Sequence, residues 1–205
     1  MKKINTIIFD LGGVLIDWNP EYVYLDLFNG NREQMQWFFD HICTHDWNEN
    51  QDAGYPLMKA TEERVALFPE YEELIRMYYG RWVDMLGEAI YDTVEILDKL
   101  ISKKEFKIVA LTNWSHETFP IALDRFDFLH WFDGIVVSGE EKTRKPFKEI
   151  YETTLNRFQI NAEESIFIDD NLRNIEAAKT LGINGIHFKS PKLLIEQLQE
   201  YHIDI

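Results

Sequence analysis

The chain has 205 residues, with 21 Lys or Arg against 36 Asp or Glu, a formal net charge of −15, and 45% hydrophobic residues. That length and apolar content predict one domain, or a domain with an inserted subdomain, able to bury a core unaided, and they exclude a disordered chain. The acidic balance repels phosphate backbones and anionic membrane surfaces, so neither nucleic acid nor membrane is an expected partner, and an anionic substrate requires its own local positive charge.

The chain opens on two lysines and an apolar run that Asp10 cuts too short for a secretory leader. No apolar stretch approaches the roughly 18 residues of a membrane span. The single cysteine, Cys43, excludes an internal disulfide and reads as a small buried hydrophobe rather than a nucleophile. A reducing compartment, the cytoplasm, is expected.

Five short β-rich runs end at polar residues. Thr6 to Phe9 runs into Asp10, Lys107 to Leu111 into Thr112 and Asn113, and Gly134 to Val137 into Ser138 and Gly139. Ser165 to Ile168 runs into Asp169 and Asp170, and Gly185 to Phe188 into Lys189 and Ser190. Continuous apolar runs of this length fit strands of a parallel sheet covered on both faces. Helical patterns lie between them. Thr93 to Lys103 has apolar residues at helical spacing, and Phe147 to Phe158 follows Pro146, read as a first helical residue. Asn171 to Leu181 stops at Gly182, a C-terminal cap signal, and Leu193 to Tyr201 follows. Strand alternating with helix predicts an α/β fold, a doubly wound, Rossmann-like parallel sheet.

The stretch from Trp18 to Leu86 breaks the alternation. It lacks strand-like runs, and Arg32 to Ile42, Tyr55 to Phe68 and Tyr71 to Met85 read as helices. A helical cap over 18–86 is therefore expected, inserted into a core of 1–17 and 87–205. The polar stretch Thr44 to Gly54 reads as a cap loop facing the site, and Trp18, Trp47 and Trp114 as an aromatic wall there or as packing between cap and core. Trp37 and Trp82 read as core, and Phe126 to Phe132 as a packed helix end or an interface.

Ligands of an open parallel sheet bind beyond the carboxyl ends of its strands. That rim gathers Asp10, Thr112, Asn113, Ser138, Asp169 and Asp170, with Lys145 a few residues past a strand end. Three carboxylates on one rim repel, and a hard divalent cation such as Mg²⁺ relieves that repulsion. An anion such as phosphate then fits between the metal and Lys145. Thr112 and Asn113 offer donors, and a carboxylate facing a metal-bound phosphoryl group is a candidate nucleophile. Taken singly, each of these residues reads equally as a cap, a turn former or a solvated lysine; the combination carries the reading.

Four segments in this order resemble the haloacid dehalogenase superfamily of hydrolases, in its helical-capped, phosphatase-like branch. They are FDLGGVLID (9–17), ALTNWS (110–115), RKP (144–146) and FIDDNLRNIEAAKTLGI (167–183), with the insertion after the first. The resemblance implies that Asp10 attacks phosphorus to form an aspartyl-phosphate, which water hydrolyses. It implies Mg²⁺ held by Asp10, the Gly12 carbonyl, Asp169 and Asp170, with Asp170 the direct ligand of the pair and Asp169 acting partly through water or by orienting Lys145. Thr112, Asn113 and Lys145 would hold phosphoryl oxygens, and Trp114 would contact substrate. The implied activity is a phosphatase acting on a small phosphorylated metabolite, such as a sugar phosphate. Dehalogenation of a 2-haloacid and a catalytically weak phosphate-binding module are the alternatives, and oligomeric state stays open.

One residue departs from the pattern. Phosphatases of this family carry a second Asp two positions after the nucleophile as general acid and base, and here that position is Gly12. Its contribution, about 10²–10⁴-fold, must be absent or supplied elsewhere. Asp17, His45, Asp46 and His116 are the candidates. Without it, phosphates with good leaving groups, such as anomeric or acyl phosphates, would suffer least.

Overall fold

The computed structural model describes residues 2–205. Its strands are β1 (Thr6–Phe9), β2 (Ile16–Trp18), β3 (Leu86–Ala89), β4 (Lys107–Thr112), β5 (Gly134–Val137), β6 (Ser165–Asp169) and β7 (Asn184–His187). The helices are α1 (Glu21–Leu27), α2 (Arg32–His41), α3 (His45–Asp52), α4 (Leu57–Leu67), α5 (Glu72–Gly80) and α6 (Trp82–Met85), followed by α7 (Tyr91–Lys103), α8 (Phe119–Arg125), α9 (Ser138–Glu141), α10 (Lys148–Phe158), α11 (Leu172–Thr180) and α12 (Pro191–Glu200). None is long and apolar enough to cross a membrane.

Five strands form the expected parallel sheet, in the order β5-β4-β1-β6-β7. Side chains alternate between its faces, and both faces are covered. Ile7 and Phe9 pack with Leu97, Leu100 and Leu194 of α7 and α12, while Ile8, Val109 and Phe167 pack with Ile150 and Ile175 of α10 and α11. The strand order reverses around β1, which places the end of β1 in the ligand-binding crevice of such a sheet.

Register delivers the chemistry to that crevice. Phe9 pairs with Ala110 on one side and Ile168 on the other, and the Asp10 N–H donates to the Ile168 carbonyl at 2.8 Å. Asp10 therefore sits between the ends of β4 and β6.

Residues 21–85 are helical and close around an apolar cluster of their own, including Val23, Tyr24, Phe38, Cys43, Trp47, Ile75 and Tyr78. Tyr24 is fully buried there, stacked on Phe38 at 5.3 Å between ring centres.

Four expectations need correction. The chain crosses between sheet core and helices through an antiparallel ribbon, β2 paired with β3, where no strand was expected. Three or four residues are too few for a period of two to show. The polar stretch after Thr44 is helix α3, not a loop. The Thr44 hydroxyl caps it by accepting from the Trp47 N–H at 3.2 Å, and its polar residues find partners across the structure. Trp37 is 45% exposed, stacked on His41 of its own helix, rather than core. Pro146 lies ahead of α10, whose cap residue is Phe147, and is not its first residue.

Other expectations hold. Trp82 is buried, and Phe126, Phe128 and Leu129 are buried around a 3₁₀ turn that ends α8. Gly182 takes the left-handed conformation after α11, at φ +83°.

Candidate active site

A cavity of about 580 Å³ opens over the carboxyl ends of β1, β4 and β6. Asp10, Gly12, Asn113, Trp114, Lys145 and Asp170 line its floor. Helix α3 contributes His45, Asn48, Glu49 and Asp52 from the opposite side, and Trp18, Tyr79 and Trp82 form much of the wall.

The floor is built around Lys145. Its side chain is completely buried, with Nζ 2.8 Å from Asp10 Oδ1 and 2.7 Å from Asp169 Oδ2, and it donates to the Leu111 carbonyl at 3.1 Å. Burial works against the charge, but the two carboxylates outweigh it and the amine's pKa is raised. Asn113 fixes the lysine from behind. Its Oδ1 accepts the Lys145 N–H at 2.8 Å, and its Nδ2 donates to the Lys145 carbonyl at 3.0 Å. The amide expected to bind substrate is thus occupied in aiming Lys145, which leaves Asn113 its backbone for an anion.

The two acids that follow β6 have different surroundings. Asp169 is fully buried. Besides Lys145, it accepts from the Asn171 N–H at 2.8 Å and from Asn174 Nδ2 at 3.1 Å to each oxygen. Asp170 is exposed to the cavity, and burial of its surroundings followed by the charge of Asp169 raises its pKa. A Cβ on Gly13 would lie 2.3 Å from Asp170 Oδ2, and Gly13 has φ +73°, so only glycine leaves room for this carboxylate.

Asp10 is buried, its Oδ1 accepting the Leu11 N–H at 2.8 Å. Burial pushes its carboxyl well up, Lys145 pulls it down, and Asp169 pushes it up again. Oxygens of Asp10, Asp169 and Asp170 lie within 4.8 Å of one another. One buried amine cannot balance three carboxylates, and an all-oxygen set suits a hard cation. Mg²⁺ therefore fits, and Asp10 and Asp170 would hold it, since Asp169 is already saturated by hydrogen bonds.

Thr112 closes β4, buried, with its hydroxyl unpartnered, which suits an acceptor of hydrogen bonds arriving with a ligand. Of the three tryptophans proposed as a wall, Trp18 and Trp114 line the cavity, and both indole N–H groups are buried without acceptors. Trp47 instead packs against Tyr78 and Tyr79 inside the helical cluster. Trp114 packs edge-on against Trp82 and Phe119.

Of the candidate substitutes for the missing acid, His45 alone lines the cavity. Its ring is 3.4 Å from Glu49, while Asp17 is taken up by the Tyr22 hydroxyl. Sequence reading missed Glu49, which is buried and bridges to Arg144 at 2.7 Å and to Arg173. A lone Glu in a polar stretch carries no signal of partners about a hundred residues away.

The haloacid dehalogenase-like hydrolase family profile matches residues 7–188, and the chain belongs to that family. Among characterised relatives, it is 46% identical over 184 residues to the sesquiterpene phosphatase astK of Aspergillus oryzae, covering 88% of this chain and 87% of that one. It is 25% identical to a phosphorylated carbohydrates phosphatase of Thermotoga maritima, over 90% of this chain and 84% of that one. The fold matches a HAD family enzyme from Bacteroides thetaiotaomicron solved as a magnesium complex, with TM-score 0.68 and 20% identity over 92% and 94% of the chains.

Proposed function

We propose that this hydrolase is a Mg²⁺-dependent phosphatase that transfers the phosphoryl group of a small organic phosphate to Asp10 and then to water. The observation that carries this reading is Asp10 and Asp170 converging beside a buried, carboxylate-held Lys145 at the mouth of a cavity. Mg²⁺, when bound by Asp10 and Asp170, would neutralise phosphoryl oxygens and relieve the crowding of charge.

The chain's own residues supply the rest. An Asp10 carboxylate oxygen attacks phosphorus, the bond to the leaving oxygen breaks, and water later displaces Asp10 to release phosphate. Lys145 stabilises the negative charge of the transferring group from a fixed position, which is where electrostatic catalysis is strongest. Thr112 Oγ1 and the Asn113 N–H complete the cradle, since the Trp114 N–H is already given to Ser138 Oγ.

The organic part of the substrate would lie against Trp18, Tyr79, Trp82 and Trp114. Such a wall takes an apolar chain or the face of a sugar ring. The astK likeness favours a terpenyl phosphate over the sugar phosphate expected from the resemblance alone. Halide displacement from carbon has no use for a retained Asp170, so dehalogenation is the weaker reading.

The test is phosphate release from p-nitrophenyl phosphate, a farnesyl-type monophosphate and hexose 1-phosphates. Release should require Mg²⁺, stop with EDTA, and fall at least 10³-fold in Asp10→Asn, the order of loss for removing a nucleophile. Equal release by wild type and Asp10→Asn would refute the proposal.

A further inference from the structure

Gly12 leaves the site without the acid expected two residues after Asp10, although an added Cβ there would meet nothing within 4 Å. A proton supplied by the protein comes from another group that reaches the same cavity. Resting on the phosphatase reading above, we propose that Asp52, at the end of helix α3, is the general acid and base of this site.

Three observations place it there. Asp52 lines the cavity with Asp10, Gly12 and Lys145. It is tied to the phosphate-binding loop through one residue: the Trp114 N–H donates to Ser138 Oγ at 2.8 Å, and that hydroxyl donates to the Asp52 carbonyl. Just beyond it the two backbones meet, since a Cβ on Gly54 would lie 2.5 Å from the Gly139 carbonyl oxygen. The end of α3 is therefore clamped onto the start of α9, whose Ser138 also holds the loop that follows Thr112, and is not suspended above the site.

The side chain is oriented as well. Asn48 Nδ2 donates to Asp52 Oδ2 at 3.2 Å, the Tyr79 hydroxyl donates to Asn48 Oδ1 at 2.9 Å, and Gln51 Nε2 donates to the Tyr79 hydroxyl at 3.0 Å. This chain fixes one carboxylate oxygen and leaves the other for a ligand in the cavity. The charged and titratable groups around it are Glu49 on its own helix, Arg144 and Lys145 from the core, and Tyr78 and Tyr79 from α5. Burial, then Glu49, push its carboxyl up to about 7, with Arg144 and Lys145 opposing. A carboxyl so poised holds a proton to give and, once ionised, can take one back.

The step balances. As Asp10 attacks, the P–O bond to the leaving group breaks and the protonated Asp52 gives its proton to the departing oxygen, releasing an alcohol. The Asp52 carboxylate then takes a proton from the water that attacks the aspartyl-phosphate. The bond from phosphorus to Asp10 breaks, phosphate leaves, and both carboxyls return to their starting forms.

The experiment measures kcat/KM of wild type, Asp52→Asn and Asp52→Asn/Gly12→Asp on hexyl phosphate and p-nitrophenyl phosphate. Nitrophenolate departs without a proton, whereas an alkoxide cannot. Asp52→Asn should lose about 10²-fold more on hexyl phosphate than on the aryl ester. The wild type should lose hexyl phosphate activity as pH rises through about 7, and Asp52→Asn should lack that limb. Gly12→Asp in the double variant should restore at least tenfold, which repair of a merely structural defect would not do. Equal losses on the two esters, or an unchanged basic limb in Asp52→Asn, would overturn the role of Asp52 while leaving the phosphatase reading intact. Absence of Asp10-dependent phosphate release from the wild type would overturn both.

Discussion

Lys145 is the residue on which the site depends. It is a fully buried amine held by two carboxylates and a carbonyl, and Asn113 grips its backbone on both sides. Breaking a buried pair by removing one partner costs about 3–5 kcal/mol, because the remaining charges lose their compensation. Lys145→Met should therefore destabilise the metal-free protein by about 3–5 kcal/mol in urea unfolding with EDTA present. A cost below about 1 kcal/mol, within the range of ordinary surface substitutions, would mean the carboxylates are balanced some other way. Asp52 offers a second test at this scale. Its folded pKa is raised, so between the ordinary Asp value and about 7 the folded state holds a proton that the unfolded state has released. Its contribution to stability is thus lost as pH rises through that window. Asp52→Asn should gain in melting temperature relative to wild type between pH 4 and pH 7; a constant difference would contradict the shift.

At the scale of elements, helix α3 holds the cap onto the core. Glu49 reaches Arg144 ahead of α10 and Arg173 at the start of α11, Asp52 accepts from Ser138 through its carbonyl, and the Leu57 N–H at the start of α4 donates to Glu117 at 2.8 Å. Glu49 is the most buried of these charged groups, so its loss leaves Arg144, itself half-buried or deeper, without its counter-charge. Glu49→Gln should speed hydrogen exchange of α3 and of the β2–β3 ribbon while leaving β1 and β6 protected. Unchanged exchange in α3 would show that the backbone contact at Gly54 and Gly139 suffices alone.

The whole molecule carries a net charge of −15 over a site that must admit an anion. Repulsion from that distant charge is screened beyond about 10 Å at 0.1 M salt, whereas Lys145 acts at contact distance. Moderate salt should therefore raise kcat/KM for phosphate esters, and a steady fall with salt would mean that local positive charge governs capture. Much of this organisation is legible in the sequence. Strands buried on both faces read as continuous apolar runs, and in a parallel sheet every such run must end at the same rim, so Asp10, Thr112 and Asp169 could be gathered before any coordinates. What stayed hidden depends on partners distant in sequence. Asn113 looks like a phosphate donor until its amide is seen gripping Lys145, and α3 looks like a loop until Glu49 and Gln51 find partners for their polar atoms. Trp37 and Trp47 share a helical setting, and only packing sends one outward and the other into the cluster. Gly12 told of a missing acid without telling where its replacement lies.

The most direct test of the account is to find the phosphoryl group in transit. Wild type turning over p-nitrophenyl phosphate with Mg²⁺ would be quenched in acid and its peptides examined by mass spectrometry. One phosphoryl group on the peptide containing Asp10, absent in Asp10→Asn and without EDTA-resistant formation, is the predicted result. Phosphate release at full rate with no phosphoryl group on that peptide in a rapid-quench time course would contradict nucleophilic attack by Asp10.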